Sequence, residues 1–477
     1  MKSQPKFIIS LLFLMLKICI YTKASDGLLP FPFVTYLSMV KEFHPVSKQA
    51  AITEKIAYNE IKKAKGNFDP LLHSDYTQKT FGGKLYYGYF DNYLKVPTWI
   101  GDLSAGFEDN NGVFQNPTDV TPAGGLAYVG YTLPLGQGML IDYRRAAVSQ
   151  ARLMNEIGRA ERQKIVNKVL YDASVAYWDW YFAYQKYTAI SNSKINAEAN
   201  FKMVKASIEV GDISMIDSVE SSLLLFERTA DLQQAETDLI NARLFASNYI
   251  WDETGRPREI SDSLRPYPDS TILNTARALS PLFIQNALSG HPEINKVNLK
   301  LKSLSIDKKL ARDFLLPNID LTGKLLVKAG NSNVNSGLWN EKYIANNNKI
   351  ILTINQPLFL RKERAKYKEV MFKTEQVSWE QRMLTLETTN NIKASQNKLN
   401  NYIRNRETQQ KATQNYIKVR DGEITKFQAG EGNLLKINFY DTKAIEAILK
   451  NIKVNTEVYK AYCELYYKAG IMPEILL

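Results

Sequence analysis

The sequence predicts a mainly α-helical chain with a smaller β portion, in which one architecture is used twice. Two proline-free stretches, beginning near Tyr143 and Arg361, each allow a helix of about 65 residues, which is about 100 Å long. Short runs of alternating apolar and polar residues predict strands. Several motifs recur at fixed spacings, which indicates an internal duplication.

The composition is that of a folded protein. The chain has 477 residues, 45% of them hydrophobic, and a formal net charge of +12. Lysine and arginine are spread along the predicted helices and do not cluster with aromatic residues, which argues against a nucleic-acid partner. We interpret the positive excess as solvated helix surface.

The N-terminus has the pattern of a secretory signal peptide. Lys2 and Lys6 precede an apolar run, and residues 1–24 form the predicted signal, with cleavage after Ala24. The run of about fourteen residues is shorter than the roughly twenty that a spanning helix needs, which favours export over a retained anchor. The residues before Cys19 fit a lipidation site poorly.

Beyond the signal, the sequence argues against an internal disulfide and against transmembrane helices. Cys463 is the only cysteine left in the predicted mature chain, so no internal disulfide is expected. No later stretch stays apolar for about eighteen residues, which excludes a helical inner-membrane protein. If the chain crosses a membrane, it has to do so as a barrel.

The duplication is visible at two spacings. His44-Pro45 recurs 247 residues later as His291-Pro292, each followed by a helical pattern. Gly211 recurs as Gly430, 219 residues later. The two spacings differ because the first half contains an insertion rich in tyrosine and glycine. We interpret this insertion as a longer strand and loop excursion.

The duplication sets the predicted domain boundaries. Residues 25–251 form the first repeat, residues 252–281 a proline-containing connecting segment, and residues 282–477 the second repeat. Each repeat is predicted to run helix, strand, loop, strand, long helix, turn and long helix.

The predicted strands alternate in polarity. Residues 319–327 place isoleucine, leucine and valine on one face, and residues 350–354 behave similarly. The matching strands of the first repeat are residues 72–80 and 126–133. Such alternation suits a half-buried sheet in a soluble domain as readily as a barrel wall.

The long helices have heptad spacing. From Val166 to Tyr187 apolar residues step by four and three without a fault, and the return helices continue the pattern from Val219 and Ile445. Along residues 361–427 the seam shifts by one residue, to Ile392 and Leu399. These features predict antiparallel coiled-coil hairpins, with the aromatic residues in their core.

In this order the signal, duplication, strand pairs and hairpins resemble the TolC-like outer-membrane efflux family, or outer membrane factors, along nearly the whole mature chain. The segment GDISMIDSVE from Gly211 is similar to the family's first hairpin tip, and FQAGEGNLL around Gly430 to the second. The starts HPVSKQA and HPEINKV resemble the family's Asn-Pro-Glu segment, with histidine in place of asparagine.

The resemblance implies a mainly α fold with a β-barrel portion. Three chains would each give four strands to one transmembrane barrel and their hairpins to an α-helical tunnel. It implies a passive exit duct for efflux or type I secretion, in the outer membrane of a Gram-negative bacterium. Its partners would be a periplasmic adaptor, an inner-membrane pump and outer-membrane lipid, with neither enzyme activity nor cofactor. The alternative, a periplasmic adaptor or other exported coiled-coil assembly protein, would carry one hairpin or lack strand pairs.

The resemblance also assigns candidate site residues. The tips facing the adaptor would be Gly211, Asp212, Gly430, Glu431 and Gly432.

The candidate periplasmic constriction comprises Asp217, Glu220, Lys436 and Phe439. The family carries two aspartates at the positions that Lys436 and Phe439 hold here.

The helix starts contain His44, Pro45, His291 and Pro292. Proline suits the first helical position, and we expect both histidines to be polar caps. No second histidine or cysteine lies at ligand spacing, so we predict no metal site.

Overall fold

Each half of the chain folds into a short helix pair, strands and a hairpin of long helices. The computed structural model describes residues 28–209, 211, 214–268, 283–328, 344 and 346–473. The strands of this part are β1 (Leu29–Pro32), β2 (Leu71–Phe81), β3 (Lys84–Pro97), β4 (Asp102–Asn111), β5 (Leu126–Pro134), β6 (Leu264–Tyr267), β7 (Asn318–Lys328) and β8 (Asn348–Asn355). The α-helices are α1 (Phe33–Phe43), α2 (Pro45–Lys65), α3 (Tyr143–Glu209), α4 (Met215–Ser247), α5 (Phe283–Gly290), α6 (Pro292–Asp313), α7 (Arg361–Gln428) and α8 (Leu434–Lys468).

The predicted duplication and the long helices are confirmed. Strands β2 and β7 both have 11 residues and begin 247 positions apart. Helices α3 and α7 have 67 and 68 residues, so each is about 100 Å long. No helix among the described residues is both long enough and apolar enough to cross a membrane.

The core lies where the two hairpins meet, and its buried aromatic residues come from α1, α3 and α8. Tyr177 and Trp180 are buried, as the heptad pattern predicts. In α7 the predicted shift of the seam is confirmed, because Ile392 and Leu399 are fully buried. The aromatic side chains are therefore core residues, held by packing at helical spacing.

In α4 the predicted seam is wrong. Val219, Leu223 and Phe226 are more than half exposed, whereas Leu224 and Ala235 are buried against the rest of the chain. The heptad pattern identified a real apolar stripe, but that stripe points away from α3. It leaves an uncovered apolar face on a single copy, a feature that often marks an interface.

The connecting segment carries a strand that ties it to the first repeat. Strand β6 pairs in parallel with β1. The hydroxyl of Tyr177 donates to the carbonyl oxygen of Phe31 at 2.6 Å and accepts from the backbone N–H of Tyr267 at 2.9 Å. One buried side chain of α3 thus fixes both strands; residues 269–281 of the segment lie outside the described part.

Within the part of the chain that the structure describes, the main sheet has six antiparallel strands in the order β2-β3-β4-β5-β7-β8. The expected four strands per chain is therefore wrong. The first repeat's insertion, interpreted as a strand and loop excursion, is a complete hairpin of β3 and β4 that enters the sheet between β2 and β5. Its tyrosine-rich sequence suits a pleated surface, which explains why it pairs along its length.

The sheet has two chemically different faces. One carries Phe90, Phe107, Val129, Leu325 and Ile350, and we call it the apolar face. The alternate residues on the other face are mostly charged, aromatic or small. Because successive side chains of a strand point to opposite sides, the two faces can be followed through all six strands, and Asn92 of β3 and Asp109 of β4 are polar residues on the apolar face.

Candidate functional site

Both hairpins reverse at a glycine in the left-handed backbone conformation. Gly211 has a φ of 83° and Gly430 a φ of 78°. A Cβ atom at either position would meet no atom within 4 Å, so the backbone conformation and not crowding is what favours glycine. Gly432 differs, because a Cβ there would lie 2.4 Å from Cα of Phe427. Asp212 lies outside the described residues.

The return helices begin with side-chain caps. The hydroxyl of Ser214 accepts from the N–H of Ile216 at 3.4 Å, and the carboxylate of Asp217 accepts from the N–H of Ser214 at 3.0 Å. This reciprocal pair is a capping box, which satisfies donors that the helix start leaves free. At the other tip, Asn433 accepts from the N–H of Leu435 at 2.8 Å.

A buried charged cluster joins the two hairpins above their tips. Arg228 of α4 lies 3.8 Å from the carboxylate of Asp441 of α8 and donates to the hydroxyl of Thr442 at 3.1 Å. Arg420 of α7 is 4.0 Å from the same carboxylate. Burial raises the pKa of Asp441, since both guanidinium groups stay too far away to offset the loss of water fully.

The polar face of the sheet carries a second organised group, Asp91, Glu108, Tyr128, Lys324 and Lys349, which we call the polar belt. The strand registers place these residues on one face, with the acids on β3 and β4 and the lysines on β7 and β8.

Tyr128 connects the two halves of the polar belt. Its hydroxyl donates to Asp91 at 3.3 Å, and the ammonium group of Lys324 lies 3.8 Å from the centre of its ring. A Cβ at Gly106 would be 2.7 Å from that ring, so glycine makes the space in which the tyrosine lies across β4. Lysine above an aromatic face is held by a cation–π attraction.

Among the comparisons with known proteins, only the comparison with solved structures gives matches. No family model and no curated protein sequence matches the chain. The MtrE outer-membrane channel of Neisseria gonorrhoeae superimposes with a TM-score of 0.64 at 13% identity, over 94% of each chain. The Campylobacter jejuni CmeC channel gives 0.60 at 11% identity, over 92% of this chain and 85% of that one. The outer-membrane protein VceC of Vibrio cholerae gives 0.61 at 11%, over 92% and 96%.

The fold is that of the outer-membrane channels. The similarity spans both repeats and the sheet, so the resemblance expected from the sequence is confirmed for the fold. The number of six strands is observed in the sheet of this chain and does not come from the comparison with the other channels.

Within this channel fold, the four candidate constriction residues lie on the two return helices. The first turns of α8 bury Leu434 and Ile437, which leaves Lys436 exposed and Phe439 55% exposed. Asp217 is engaged in its helix cap. No hydrogen bond or ion pair of the described residues joins Asp217 or Glu220 to Lys436.

The two histidines at the helix starts of the channel fold differ. Nδ1 of His44 accepts from the N–H of Val46 at 3.3 Å, as expected of a cap. His291 makes no capping hydrogen bond, so the prediction is wrong there. Its ring is buried beside Gly470, where an added Cβ would lie 3.1 Å from Cδ2 of the ring. Burial lowers the pKa of both histidines.

The cluster of Arg228, Asp441 and Arg420 was missed by sequence reasoning. These residues lie on three helices, and no local spacing connects them. The signal that could have indicated this cluster was the presence of charged residues at positions that the heptad pattern places near a seam. The polar belt was missed for a similar reason, because its members come from five strands.

Proposed function

We propose that the protein is an outer-membrane channel, the passive exit duct of an efflux or type I secretion system, and that it works as a homotrimer. The observation that carries this proposal is one chain that joins a two-faced sheet to hairpins about 100 Å long. A sheet with an apolar outside can face lipid, and long hairpins can reach across a periplasm.

The trimer is supported by surfaces that one copy leaves uncovered. The stripe of Val219, Leu223 and Phe226 is exposed on α4, and Phe372 and Trp379 are exposed on α7. Burying such surfaces against neighbouring copies removes apolar area from water at about 25 cal/mol per Å². The helices of three copies would then form the wall of a tunnel.

We assign the hairpin tips, Gly211, Asp212, Gly430, Glu431 and Gly432, to contact with a periplasmic adaptor. The tips are turns at the ends of the long helices, farthest from the sheet. Energy would come from an inner-membrane pump that the adaptor connects to the duct. We also propose that Asp217, Glu220, Lys436 and Phe439 line the periplasmic mouth, and that residues 1–24 are removed on export.

The test is membrane fractionation followed by electrophoresis without heating. We expect the protein in the outer-membrane fraction as a trimer that boiling dissociates. Leu223→Arg should weaken the trimer, because it places a charge in the apolar stripe. Glu236→Arg, at an exposed position of α4 outside this stripe, serves as the control and should leave the trimer intact. Recovery of a soluble periplasmic monomer would instead support the adaptor alternative.

A further inference from the structure

We infer that each copy contributes six strands to a shared wall, so that three copies close a barrel of eighteen strands. In this wall β8 of one copy pairs with β2 of the next. The inference rests on the proposed trimer, and it goes beyond it by fixing the strand number and the strands that meet.

The β3–β4 hairpin is part of the wall and not a surface flap. It is hydrogen-bonded on both sides, since β3 pairs with β2 over its length and β4 pairs with β5. The two faces continue across it, with Phe90 and Phe107 on the apolar face and Asp91 and Glu108 in the polar belt. A flap outside the sheet would have no reason to keep this alternation.

The turn of the hairpin is anchored to the helical part of the same chain. Trp99 stacks on Phe68, which follows α2, with ring centroids 5.1 Å apart. Arg144, at the start of α3, donates to the carboxylate of Asp102 at 2.7 Å, and Lys95 is 2.9 Å from that carboxylate. The hairpin therefore ends level with the strands on either side of it.

The outer strands of the sheet leave two edges for pairing. Strands β2 and β8 each have a strand neighbour on one side only among the described residues. Their apolar-face side chains are largely exposed, with Leu72 at 75% and Ile350 at 71%. Edges in a bilayer have to be closed, because unpaired backbone groups find no water there. A second copy offers the complementary edge, antiparallel and with matching faces.

The stagger of the sheet predicts the register of this pairing. A line perpendicular to the strands runs from Leu71 of β2 to Lys324 of β7, six residues beyond Asn318, the equivalent of Leu71 in the second repeat. Six residues over four strands correspond to a tilt of about 45°, within the range of closed barrels. Continued across β8, this stagger places Leu352 opposite Tyr76 or Gln78 of the next copy, with both side chains on the apolar face.

Closing with eighteen strands has a direct consequence for the duct. Because barrel diameter grows roughly in proportion to strand number, this wall would be about 1.5 times as wide as one of twelve strands. The barrel end would then admit cargo that a twelve-stranded wall excludes.

Spin labelling of the full-length trimer tests the strand number. Cys463 is buried, so nitroxide labels will report the introduced cysteines. We expect a label at Phe107→Cys to be reached by oxygen dissolved in lipid and shielded from a water-soluble nickel complex, as at the reference Val129→Cys. The neighbouring Glu108→Cys should behave oppositely. A Phe107→Cys label reached by the nickel complex in an intact trimer would overturn the inference and leave the channel proposal standing.

Cysteine cross-linking tests the edge pairing independently. Leu352→Cys combined with Tyr76→Cys or with Gln78→Cys should give disulfide-linked copies on oxidation. Leu352→Cys combined with Thr77→Cys is the control, because residue 77 points to the opposite face. Cross-links only in the control, or in none of the pairs while the trimer forms, would contradict the pairing. Absence of any trimer would instead count against the proposed function.

Discussion

Trp178 of α3 stacks on Tyr459 of α8 with ring centroids 4.2 Å apart and planes 5° from parallel. The pair joins the first repeat to the second inside the core, and Trp178 is fully buried. Trp178→Ala should lower the free energy of unfolding by about 3–5 kcal/mol, through the lost contact and the cavity left behind. Tyr58→Ala, at an exposed position of α2, should lower the free energy of unfolding far less; equal losses in denaturant titrations would contradict the assignment.

Cys463 should be unreactive in the folded protein. Burial raises the pKa of its thiol to about 12, so at pH 9 only about one molecule in a thousand carries the reactive thiolate. A chromogenic disulfide reagent should therefore modify it only after denaturation. Ser289→Cys, on an exposed position, provides the reactive control. Rapid modification of native Cys463 would show that this part of the core opens.

The stability of the helical part should depend on Asp441 in acid. Because its folded pKa is raised above the unfolded value of about 3.9, the folded state takes up the proton first. Stability should then fall as pH rises from the unfolded pKa through the folded pKa. Heat denaturation across this pH window should show this fall in stability for the wild type. The Asp441→Asn variant should lack it. A wild type that loses stability on acidification through this group would reverse the sign and refute the burial argument.

The two tip glycines should tolerate asparagine but not valine. Gly430 needs positive φ, which asparagine adopts readily and a β-branched residue does not, and open space surrounds the position. Gly430→Val should reduce export while the trimer level stays normal, whereas Gly430→Asn should retain export. Export assays with matched trimer quantification decide this, and equal export by both variants would remove the backbone requirement.

Lys436 should weaken block of the pore by divalent cations. With the proposed position at the mouth, three copies of Lys436 place positive charge there, and a narrow mouth focuses that field. Lys436→Asp should strengthen the block in single-channel recordings. Lys450→Asp, an exposed lysine farther along α8, should not. Tight block in the wild type that survives Lys436→Ala would exclude the lysine from the mouth.

The sequence predicts the long helices well because their signal is local and repeated. Proline is absent from α3 and α7, and the heptad spacing even locates the shift at Ile392. The face of α4 that packs against the rest of the chain could not be predicted from the same heptad spacing. A heptad stripe shows that a face is apolar, but it does not show whether the cover comes from the same chain or another copy.

The strand number was missed for a different reason. In β3 the apolar face is interrupted by Gly88 and Asn92, and the opposite face carries tyrosines besides Asp91, so the alternation of polarity along the strand is weak. Period-two patterns of polar and small residues carry little signal. Likewise, the role of Asp217 as a helix cap depends on a turn whose conformation the spacing alone does not define.

The division of charge in the polar belt affects how solutes travel through a closed wall. Acidic groups of the belt lie on β3 and β4 and its lysines on β7 and β8, so the electric field of the belt has a component around the circumference of the barrel. With three copies the sign alternates six times per circuit. A solute with separated charges that crosses the belt would be turned by this component of the field, so the belt would orient a solute as it passes.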